Sequence, residues 1–496
     1  MAYLPLKIPP GVMRSGTEYQ AQGRWYDAHL VRWYDGKVLG PIGGWVQKST
    51  TTVTGKPRAI VVWKSNDGTR RAAIGTHSKL YAMVSTGVLS DITPAGFTSG
   101  ITDSTVKTGY GKGLYGKGAY GTPRPDTGNA EPATVWDLDI WGQYLVGCTK
   151  DDGILYEWQN TSVAAAITNA PVDCSGLVVH PKRLLIALGA GGNPRKWQWS
   201  TVGDNTVWTP SATNQAGSDE IPQGSLITAR AVGDQVIMLT DIDAYVVDYL
   251  GLPYVLRARK VGDACGALSK GCIVSAGSFV AWWSKSGYWV YDGVVRPLRC
   301  DLWDDLAHNL TTAQQSKITG FHNAKNQEIW WFYPRDGASE ITDYVFWSYR
   351  YDHWANGTLT RLSGCAPGIF DTPFCVGSDG YVYEHELGFQ YSGSAPYARG
   401  GPIEIGNGDR VMHVLGIVPD QAHSTHTDAG GVTVSFRTRL YPDADETVLA
   451  EVELSDGGKT DLRFSARQVE LVVTGVAATH WRFGDARLDV RPGGRR

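Results

Sequence analysis

The sequence predicts an all-β protein, a six- or seven-bladed β-propeller with an additional C-terminal β-sandwich domain. Two observations carry this prediction. An apolar hairpin unit recurs along most of the chain, and the composition is rich in Gly and Trp, with 60 and 19 residues respectively. Gly supplies tight turns and Trp fills the spaces between sheets, so the pair favours an all-β chain. The 496 residues would allow two to four domains.

The clearest hairpin lies between Gly271 and Gly293. Its two apolar runs, Ser278–Trp283 and Tyr288–Tyr291, are rich in the aromatic and β-branched residues that suit a half-buried strand. A short polar joint connects the runs and contains Gly287, where a tight reversal needs a positive φ. We therefore predict a β-hairpin here.

From about residue 58 onward the second half of this unit recurs, at intervals of 37 to 74 residues. These intervals scatter around the ~40–50 residues of a four-stranded propeller blade. Radial repetition of short sheets lets a large antiparallel protein avoid long open edges. The recurring segments are Lys79–Met83, Gly153–Trp158, Arg195–Trp199, Ala244–Tyr249, Gly287–Tyr291, Asp343–Tyr349 and Gly380–His385.

The predicted domain boundaries follow from this repeat. Residues 1–57 form an N-terminal arm and closing strands, and residues 58–398 form the propeller, with an inserted loop over 107–131. Residues 399–496 form the sandwich, because alternating strands continue there without a fresh blade unit. Its predicted strands are Val432–Arg439, Val448–Leu454, Leu462–Ser465, Val469–Thr474 and Trp481–Val490.

The N-terminal arm carries the sequence RWYD twice, at Arg24–Asp27 and Arg32–Asp35. Its aromatic residues either pack on the protein's own surface or anchor the arm on a neighbouring subunit, where Trp, Tyr and Arg are favoured. On the second interpretation, removing Met1–Trp45 would weaken assembly and leave the propeller folded. The candidate subunit-interface residues are Arg24, Trp25, Tyr26, Arg32, Trp33 and Tyr34.

The inserted loop is dominated by the segment Lys107–Gly121, in which Gly recurs and Tyr and Lys each repeat every five residues. Such a composition cannot build a core, so we predict an exposed loop. The loop is either passive, or it contacts a phosphate backbone or a partner, with Lys supplying charge and Tyr supplying stacking. The candidate contact residues are Lys107, Tyr110, Lys112, Tyr115, Lys117 and Tyr120.

One helix is predicted, over Asp301–Asn309. Leu302, Leu306 and Leu310 are four residues apart there and give the helix one apolar face. The following segment, Thr311–Gln314, has the pattern of a capping box that starts another turn.

The bulk composition argues against several functional classes. The net charge is −3, which argues against a protein whose whole surface is basic and binds nucleic acid. The seven Cys are scattered without a Cys-x-x-Cys pair, which predicts buried free thiols. The first residues lack the apolar region of a signal peptide, and no apolar run approaches the ~18 residues that cross a bilayer.

Catalytic and metal-binding motifs are weak throughout. The sequence has no Walker A loop and no Gly-x-Ser-x-Gly elbow. The segment Thr149–Tyr156 is similar to the Asp-box of sialidases, a turn that braces a blade and does not catalyse. His423 and His426 on a polar loop form a weak metal-like pair, for which a solvated loop is the commoner explanation. We therefore predict no enzyme activity, no cofactor and no metal.

Four segments resemble the tail nozzle proteins of short-tailed bacteriophages, also called packaged-DNA stabilisation proteins. The segment Asp301–Pro334 matches in its short helix, Thr-led turn and following strand, and Ile221–Gly251 is similar to another blade of that family. Glu18–Trp33 and Trp481–Val490 resemble the two ends of these proteins. The inserted Gly/Tyr/Lys loop is a departure from the family pattern.

The resemblance implies a structural virion protein in the phage tail, assembled in the host cytoplasm. It implies a ring of six copies below the portal and its tail adaptor, with tail fibres or spikes as further partners. Double-stranded DNA would pass through the lumen without sequence recognition. The alternatives left open by the residues are a carbohydrate-binding or sialidase-like propeller that recognises a host surface, and a propeller scaffold for cellular complexes.

Overall fold

The computed structural model describes residues 2–106, 130–391, 393, 395–405, 408–423, 431–442, 444–455, 458–475 and 479–494. Nearly all of the regular structure in these ranges is antiparallel β-strand, as the sequence predicted. The strands build two domains, a β-propeller and a β-sandwich.

The propeller consists of four-stranded antiparallel sheets, seven of them in the described residues, which we number as blades along the chain. Blade 1 contains Pro57–Lys64, Arg70–Thr76, Leu80–Val84 and Leu89–Asp91; blade 2 contains Trp136–Trp141, Tyr144–Thr149, Leu155–Trp158 and Ala165–Ala166; blade 3 contains Gly176–His180, Leu184–Leu188, Lys196–Trp199 and Gly217–Glu220. Blade 4 contains Leu226–Val232, Gln235–Thr240, Ala244–Gly251 and Val255–Gly262; blade 5 contains Ile273–Ser275, Val280–Ser284, Gly287–Tyr291 and Val295–Leu298; blade 6 contains Thr319–Asn323, Glu328–Tyr333, Asp343–Ser348 and His353–Thr358. Blade 7 contains Arg361–Cys365, Phe374–Gly377, Val382–His385 and, from the N-terminal arm, Trp45–Gln47.

The first strands of the blades contact one another in a closed circle, in which blade 7 lies beside blade 1. The circle is completed across the ends of the chain, because Trp45 pairs with His385 and Gln47 with Tyr383. The third strand of every blade falls on one of the recurring segments found in the sequence. The repeat therefore marked the same position in each blade.

Blade 5 shows why these segments form strands. Trp282 lies opposite Trp289 in the hairpin, and Gly287 has the positive φ, +136°, that the turn requires. The indole N–H of the buried Trp282 donates to the Cys265 carbonyl at 2.6 Å, so the apolar ring is buried without losing its hydrogen bond.

Helices are few in the described part of the chain. The α-helix Trp303–His308 buries Leu302 at its N-cap and Leu306, as the apolar spacing predicted. The 3₁₀ helices are Glu18–Ala21, Ala190–Gly192 and Thr312–Lys317. The predicted capping box at Thr311 is wrong: its hydroxyl donates to the Arg335 carbonyl at 2.6 Å, and its side chain does not cap the following helix.

No helix within the described ranges has the length and apolar character needed to cross a membrane.

The second domain is a sandwich of two facing sheets with a smaller sheet beside them. One facing sheet has the strand order Ala2–Pro5, Arg487–Pro492, Met412–Val418, Thr460–Ala466. The other has the order Trp25–His29, Tyr397–Gly400, Gln468–Gly475, Val432–Arg439, Thr447–Val448, with Ile403–Glu404 and Val452–Glu453 as short additions. The smaller sheet has the order Val31–Tyr34, Val38–Pro41, Trp481–Phe483, Gln421–His423.

The N-terminal arm therefore contributes strands to every sheet of the sandwich and to blade 7. The sequence predicted residues 1–57 as a unit apart from the sandwich, and this boundary is corrected by the structure. The prediction failed because single short strands have no hydrophobic face of their own and take their place only from the sheet they join.

The hydrophobic core follows the same organisation. Smaller clusters lie between successive blades, and the largest cluster runs from blades 4 to 6 into both facing sheets of the sandwich. The two domains thus share one continuous core. All seven cysteines are free thiols, of which all but Cys300 are buried.

Deletion of residues 1–47 is expected to destroy cooperative folding of the propeller as well as of the sandwich. The deletion leaves blade 7 without its fourth strand and removes one strand from each facing sheet of the sandwich and two from the smaller sheet. Thermal unfolding followed by circular dichroism should show a broad, early transition or an insoluble protein. A matched deletion of residues 1–6, which removes only the edge strand Ala2–Pro5, should unfold cooperatively. An unchanged transition after the larger deletion would contradict the closing role of the arm.

Candidate functional site

The axis of the propeller contains a cavity of about 590 Å³, lined by the first strands of all the blades. Its wall combines apolar side chains such as Leu138, Ile140 and Val274 with a few charged ones. This volume is typical of a small-molecule site. A DNA duplex does not fit in it.

Two carboxylates of the first strand of blade 2, Asp137 and the cavity-lining Asp139, have fixed partners. The buried carboxylate of Asp137 lies 3.5 Å from both the Arg230 guanidinium and the Lys270 ammonium. The Asp139 carboxylate accepts the backbone N–H groups of Val179 and Ile140, each at 2.8 Å. Burial raises the pKa of Asp139, and the two amides oppose that shift.

His180 also lines the cavity, and burial lowers its pKa to about 4. The ring is therefore neutral at pH 7 and accepts the Lys182 backbone N–H at Nδ1, 3.0 Å away. The other ring nitrogen, Nε2, is buried and has no hydrogen-bond partner among the described residues.

One end of the propeller carries the stem of the inserted loop, formed by residues 103–106 and 130–133. Its short sheet pairs Thr105–Val106 with Ala130–Glu131. The stem is fixed to the segment after the α-helix, because Ser104 Oγ lies 2.9 Å from Ser316 Oγ and Asp103 forms an ion pair with Lys317. Lys317 is fully buried and also lies 3.2 Å from Glu340, so the stem is anchored by a buried charge.

A second cavity of about 220 Å³ is lined by Pro132 and Ala133 of the stem and by Val135 and Leu226, at the beginnings of two first strands. The stem therefore lies at the end of the propeller where the first strands of blades 2 and 4 begin. The candidate contact residues Lys107, Tyr110, Lys112, Tyr115, Lys117 and Tyr120 lie outside the described residues, and their role stays a prediction.

The turn that resembles an Asp-box joins the second and third strands of blade 2. Asp152 accepts the Thr98 backbone N–H at 3.0 Å and the Tyr156 hydroxyl, while Asp151 accepts the Thr134 hydroxyl. Both carboxylates therefore tie blade 2 to the segments that flank the inserted loop. This turn braces the fold, as the motif predicted. His426 of the metal-like pair lies outside the described ranges.

The arm residues proposed as subunit anchors are placed differently from that prediction. Trp25, Arg32 and Trp33 are buried within this chain, so they cannot dock on a neighbour. The rings of Trp25 and Trp33 lie 6.3 Å apart, and Trp33 meets His353 of blade 6 edge-on at 5.5 Å. The aromatic residues pack on the protein itself, which was the other interpretation of the motif.

Arg32 is the centre of a buried charge cluster, which we call the Arg32 cluster. Its guanidinium donates to Glu386 at 2.6 and 2.8 Å and to Glu328 at 2.9 Å. Asn323 donates to Glu386 at 3.0 Å and the Trp330 indole donates to Glu328 at 2.9 Å. The cluster joins the arm to blade 6 and to the end of blade 7.

The two carboxyls of the Arg32 cluster differ in their pKa. Burial raises the pKa of Glu328, and the charge of Arg32 only partly offsets that shift. Burial would also raise the pKa of Glu386, but Arg32 and the Gly43 backbone N–H lower it below its ordinary value. A single cation thus stabilises Glu386 more strongly than Glu328.

The remaining arm residues are half-buried and make contacts within the chain. Arg24 lies 3.4 Å from Asp301, and Tyr26 lies between the guanidinium groups of Arg14 and Arg399 at 5.7 and 5.5 Å. Tyr34 donates its hydroxyl to the Pro41 carbonyl at 2.6 Å, and Arg482 lies over its ring. The two RWYD copies therefore act as the joint between the domains.

Sequence reasoning missed Glu328 and Glu386, the partners of Arg32. One signal was present: Glu328 opens the strand Glu328–Tyr333, whose other residues are all apolar. A lone acid at such a position predicts a buried charge partner, although not which residue supplies it.

A second acidic group lies in the sandwich, where Glu18, Glu446 and Glu470 approach one another closely enough to hold a cation. The Arg439 guanidinium already forms ion pairs with these acids, at 2.6 Å from Glu18 and 2.9 Å from Glu470. Arg399 contacts the same three acids. The arrangement is a network of ion pairs that ties the helix Glu18–Ala21 to the sandwich.

No family model matches the sequence, and no curated protein matches it. Similar solved structures include virginiamycin B lyase from Staphylococcus aureus, with 9% identity, 69% of this chain and 98% of that chain covered, and a TM-score of 0.39. They also include a streptogramin B lyase (9% identity, 69% and 96% covered, TM-score 0.38) and the β-propeller domain of Cps50 (Swd1) from Myceliophteria thermophila (9% identity, 69% and 100% covered, TM-score 0.41). These TM-scores are below 0.5, so the propeller assignment rests on the strand pairing described above.

Replacement of Arg32 by Met is expected to destabilise the protein by about 3–5 kcal/mol, because it leaves two buried carboxyls without their cation. The triple variant Arg32→Met, Glu328→Gln, Glu386→Gln should recover much of that loss, since no unpaired charge remains. Urea denaturation measures both free energies of unfolding. A loss below about 1 kcal/mol in the single variant, or no recovery in the triple variant, would contradict a buried, mutually dependent cluster.

Stability is expected to fall as the pH drops from about 6.5 towards 4, in part through His353. Burial lowers the pKa of His353 to about 4 in the folded protein, so the unfolded chain takes up the proton first. The stabilisation that neutral His353 gives the folded state is therefore complete above the ordinary histidine pKa. It is lost as the pH falls from that value to the lowered pKa of the folded protein. Between pH 7 and pH 4, the free energy of unfolding of His353→Gln should fall by about 3 kcal/mol less than that of the unaltered protein. The exposed His308→Gln is the control and should keep the original pH slope; equal slopes in both variants would rule out His353 as the titrating group.

Proposed function

We propose that this protein is a structural subunit of a phage tail nozzle, a ring below the portal and tail adaptor through which double-stranded DNA is retained and released. The observation that carries the proposal is the shared core: propeller and sandwich form one body through strands and buried charges supplied by the arm. A body braced in this way suits a building block that must withstand the pressure of packaged DNA. The resemblance of four segments to nozzle proteins points to the same role.

The axial cavity supports a structural rather than a catalytic role. In the first strand of blade 2, Asp137 is held by Arg230 and Lys270 and the cavity-lining Asp139 by backbone amides, and His180 in the wall is neutral and accepts a backbone N–H at Nδ1. We propose that Asp137 and Asp139 act as fixed structural charges, because a carboxylate held by cations and backbone amides is a poor general acid or base. We therefore propose that the protein is not an enzyme.

The size of the cavity decides where DNA would pass. A cavity of about 590 Å³ holds a small molecule, so the DNA channel of the proposed nozzle lies between copies and not along the propeller axis. The net charge of −3 suits such a channel, because every cation that binds a phosphate releases counterions and holds the DNA. We propose six copies, as the resemblance implies, with the tail adaptor and tail fibres or spikes as neighbours.

The inserted loop remains a candidate contact with DNA or with a partner in this proposal. Its stem is anchored at one end of the propeller through Lys317 and Asp103. Repeated Lys and Tyr residues in the loop combine charge with a stacking surface.

Native mass spectrometry of the purified protein, alone and with its tail adaptor, tests the proposal. The expected result is a closed ring of six copies that binds the adaptor, together with the same protein among the components of purified virions. A glycan array and a sialidase assay test the alternative role in carbohydrate recognition. A monomer that is absent from particles, or one that binds or cleaves glycans without a virion partner, would overturn the proposal.

A further inference from the structure

Blade 4 ends in a protruding apolar turn. Its third and fourth strands are eight residues each and meet at Leu250, Leu252 and Tyr254, which are between 54% and 75% exposed. Pro253 and Tyr254 also line a cavity of about 600 Å³ shared with the outer strand Gly217–Glu220 of blade 3. Three large apolar side chains at one turn are unfavourable in water and mark a contact surface.

The outer strand of blade 4 adds charge to this surface. Val255–Gly262 pairs on one side only in the described sheet and is therefore an open edge. Arg257 and Arg259 are exposed along it, and the half-buried Asp248 lies 3.6 Å from Arg259, so the two cations exceed the one nearby acid. We call the turn and this edge the blade 4 surface, a strip with an apolar tip and a cationic margin.

A surface of opposite charge lies on the sandwich. The short strands Thr447–Val448 and Val452–Glu453 end the larger facing sheet, with Asp445, Glu451 and Glu453 exposed. Beside these acids are large apolar side chains between 57% and 61% exposed, namely Leu440, Tyr441 and Val448. We call this the sandwich edge surface, which has an apolar part and an anionic margin.

We propose that the blade 4 surface of one copy binds the sandwich edge surface of a second copy of this chain. The proposal rests on the ring proposed above and names the two faces that would form it. The apolar parts would bury each other, and Arg257 and Arg259 would face Glu451 and Glu453. Contact between two different faces is head-to-tail, the type of interface that produces closed rings.

The positions of the two surfaces fit a ring. The sandwich joins the propeller beside blade 6, where the Leu30 N–H donates to the Tyr344 hydroxyl at 2.8 Å and Arg32 meets Glu328. Blade 4 is two blades away from blade 6 around the circle. The two surfaces therefore belong to different domains of one copy, so each copy can bind one neighbour through its propeller and another through its sandwich.

Charge reversal on the full-length protein tests the pairing, with assembly measured by native mass spectrometry and light scattering. We expect Arg257→Glu with Arg259→Glu to weaken self-association at least tenfold, and Glu451→Arg with Glu453→Arg to do the same. A chain with all four substitutions should assemble again, because the charges are exchanged between the two faces. The control Lys285→Glu with Lys325→Glu makes the same charge change on exposed turns of blades 5 and 6 and should assemble normally.

Raising the salt concentration gives a second measurement that needs no variant, since exposed ion pairs are screened. The unaltered protein should associate more weakly as salt rises, and the four-substitution chain should show the same dependence. Rings that survive both charge reversals would overturn the proposed faces and leave the nozzle proposal standing. An unaltered protein that stays monomeric with its adaptor would instead overturn the ring itself.

Discussion

The pairing of Trp45–Gln47 with the third strand of blade 7 is the constraint on which the rest of the structure depends. A propeller has no stable open form of this size, because the blades at an open junction would each expose a face that packs against a neighbour. Here the closing strand comes from the opposite end of the chain, more than 330 residues from its partner. Closure of the circle is therefore a long-range event, and it fixes the path of the arm that precedes it.

That path explains how the two domains become one body. Before it reaches the closing strand, the arm forms Trp25–His29, Val31–Tyr34 and Val38–Pro41. Each of these strands pairs within a sandwich sheet. The sandwich consequently cannot form its full sheets without the segment that closes the propeller. The continuous core through blades 4 to 6 and the sandwich is the packing consequence of this shared segment.

The Arg32 cluster lies at the junction and shows why buried charge is useful there. A buried ion pair contributes little net stability compared with apolar packing, but a wrong arrangement that leaves its members unpaired is costly. Two carboxyls from different blades that need one arginine from the arm therefore select a single placement of the arm. The same logic applies at the stem, where the buried Lys317 needs Asp103 and Glu340.

The function we propose depends on the rigid two-domain body and on its outer surface, and it does not depend on a catalytic site. Near the axis, Asp137 and Asp139 are held by cations and backbone amides, while apolar and charged side chains lie on two outer sheet edges. We therefore propose that interaction with other molecules takes place on the outside of the protein. The unpartnered edges of blade 4 and of the sandwich are the parts of the described surface where such interaction is best supported.

The sequence by itself determined the all-β class, the third strand of each blade, most of the sandwich strands and the helix around Leu306. These features depend on alternation, turn residues and apolar spacing within about ten neighbouring residues. Of the candidate site, it identified the bracing turn at Asp152 and the importance of Arg32 and Trp33, but it offered two destinations for the arm. Only the tertiary structure decided between them, closed blade 7 with Trp45, and brought Glu328 and Glu386 to Arg32. Pairing between segments hundreds of residues apart depends on which strand edges and buried charges remain unpaired after the local elements form. A local sequence pattern does not contain this information and therefore cannot predict the pairing.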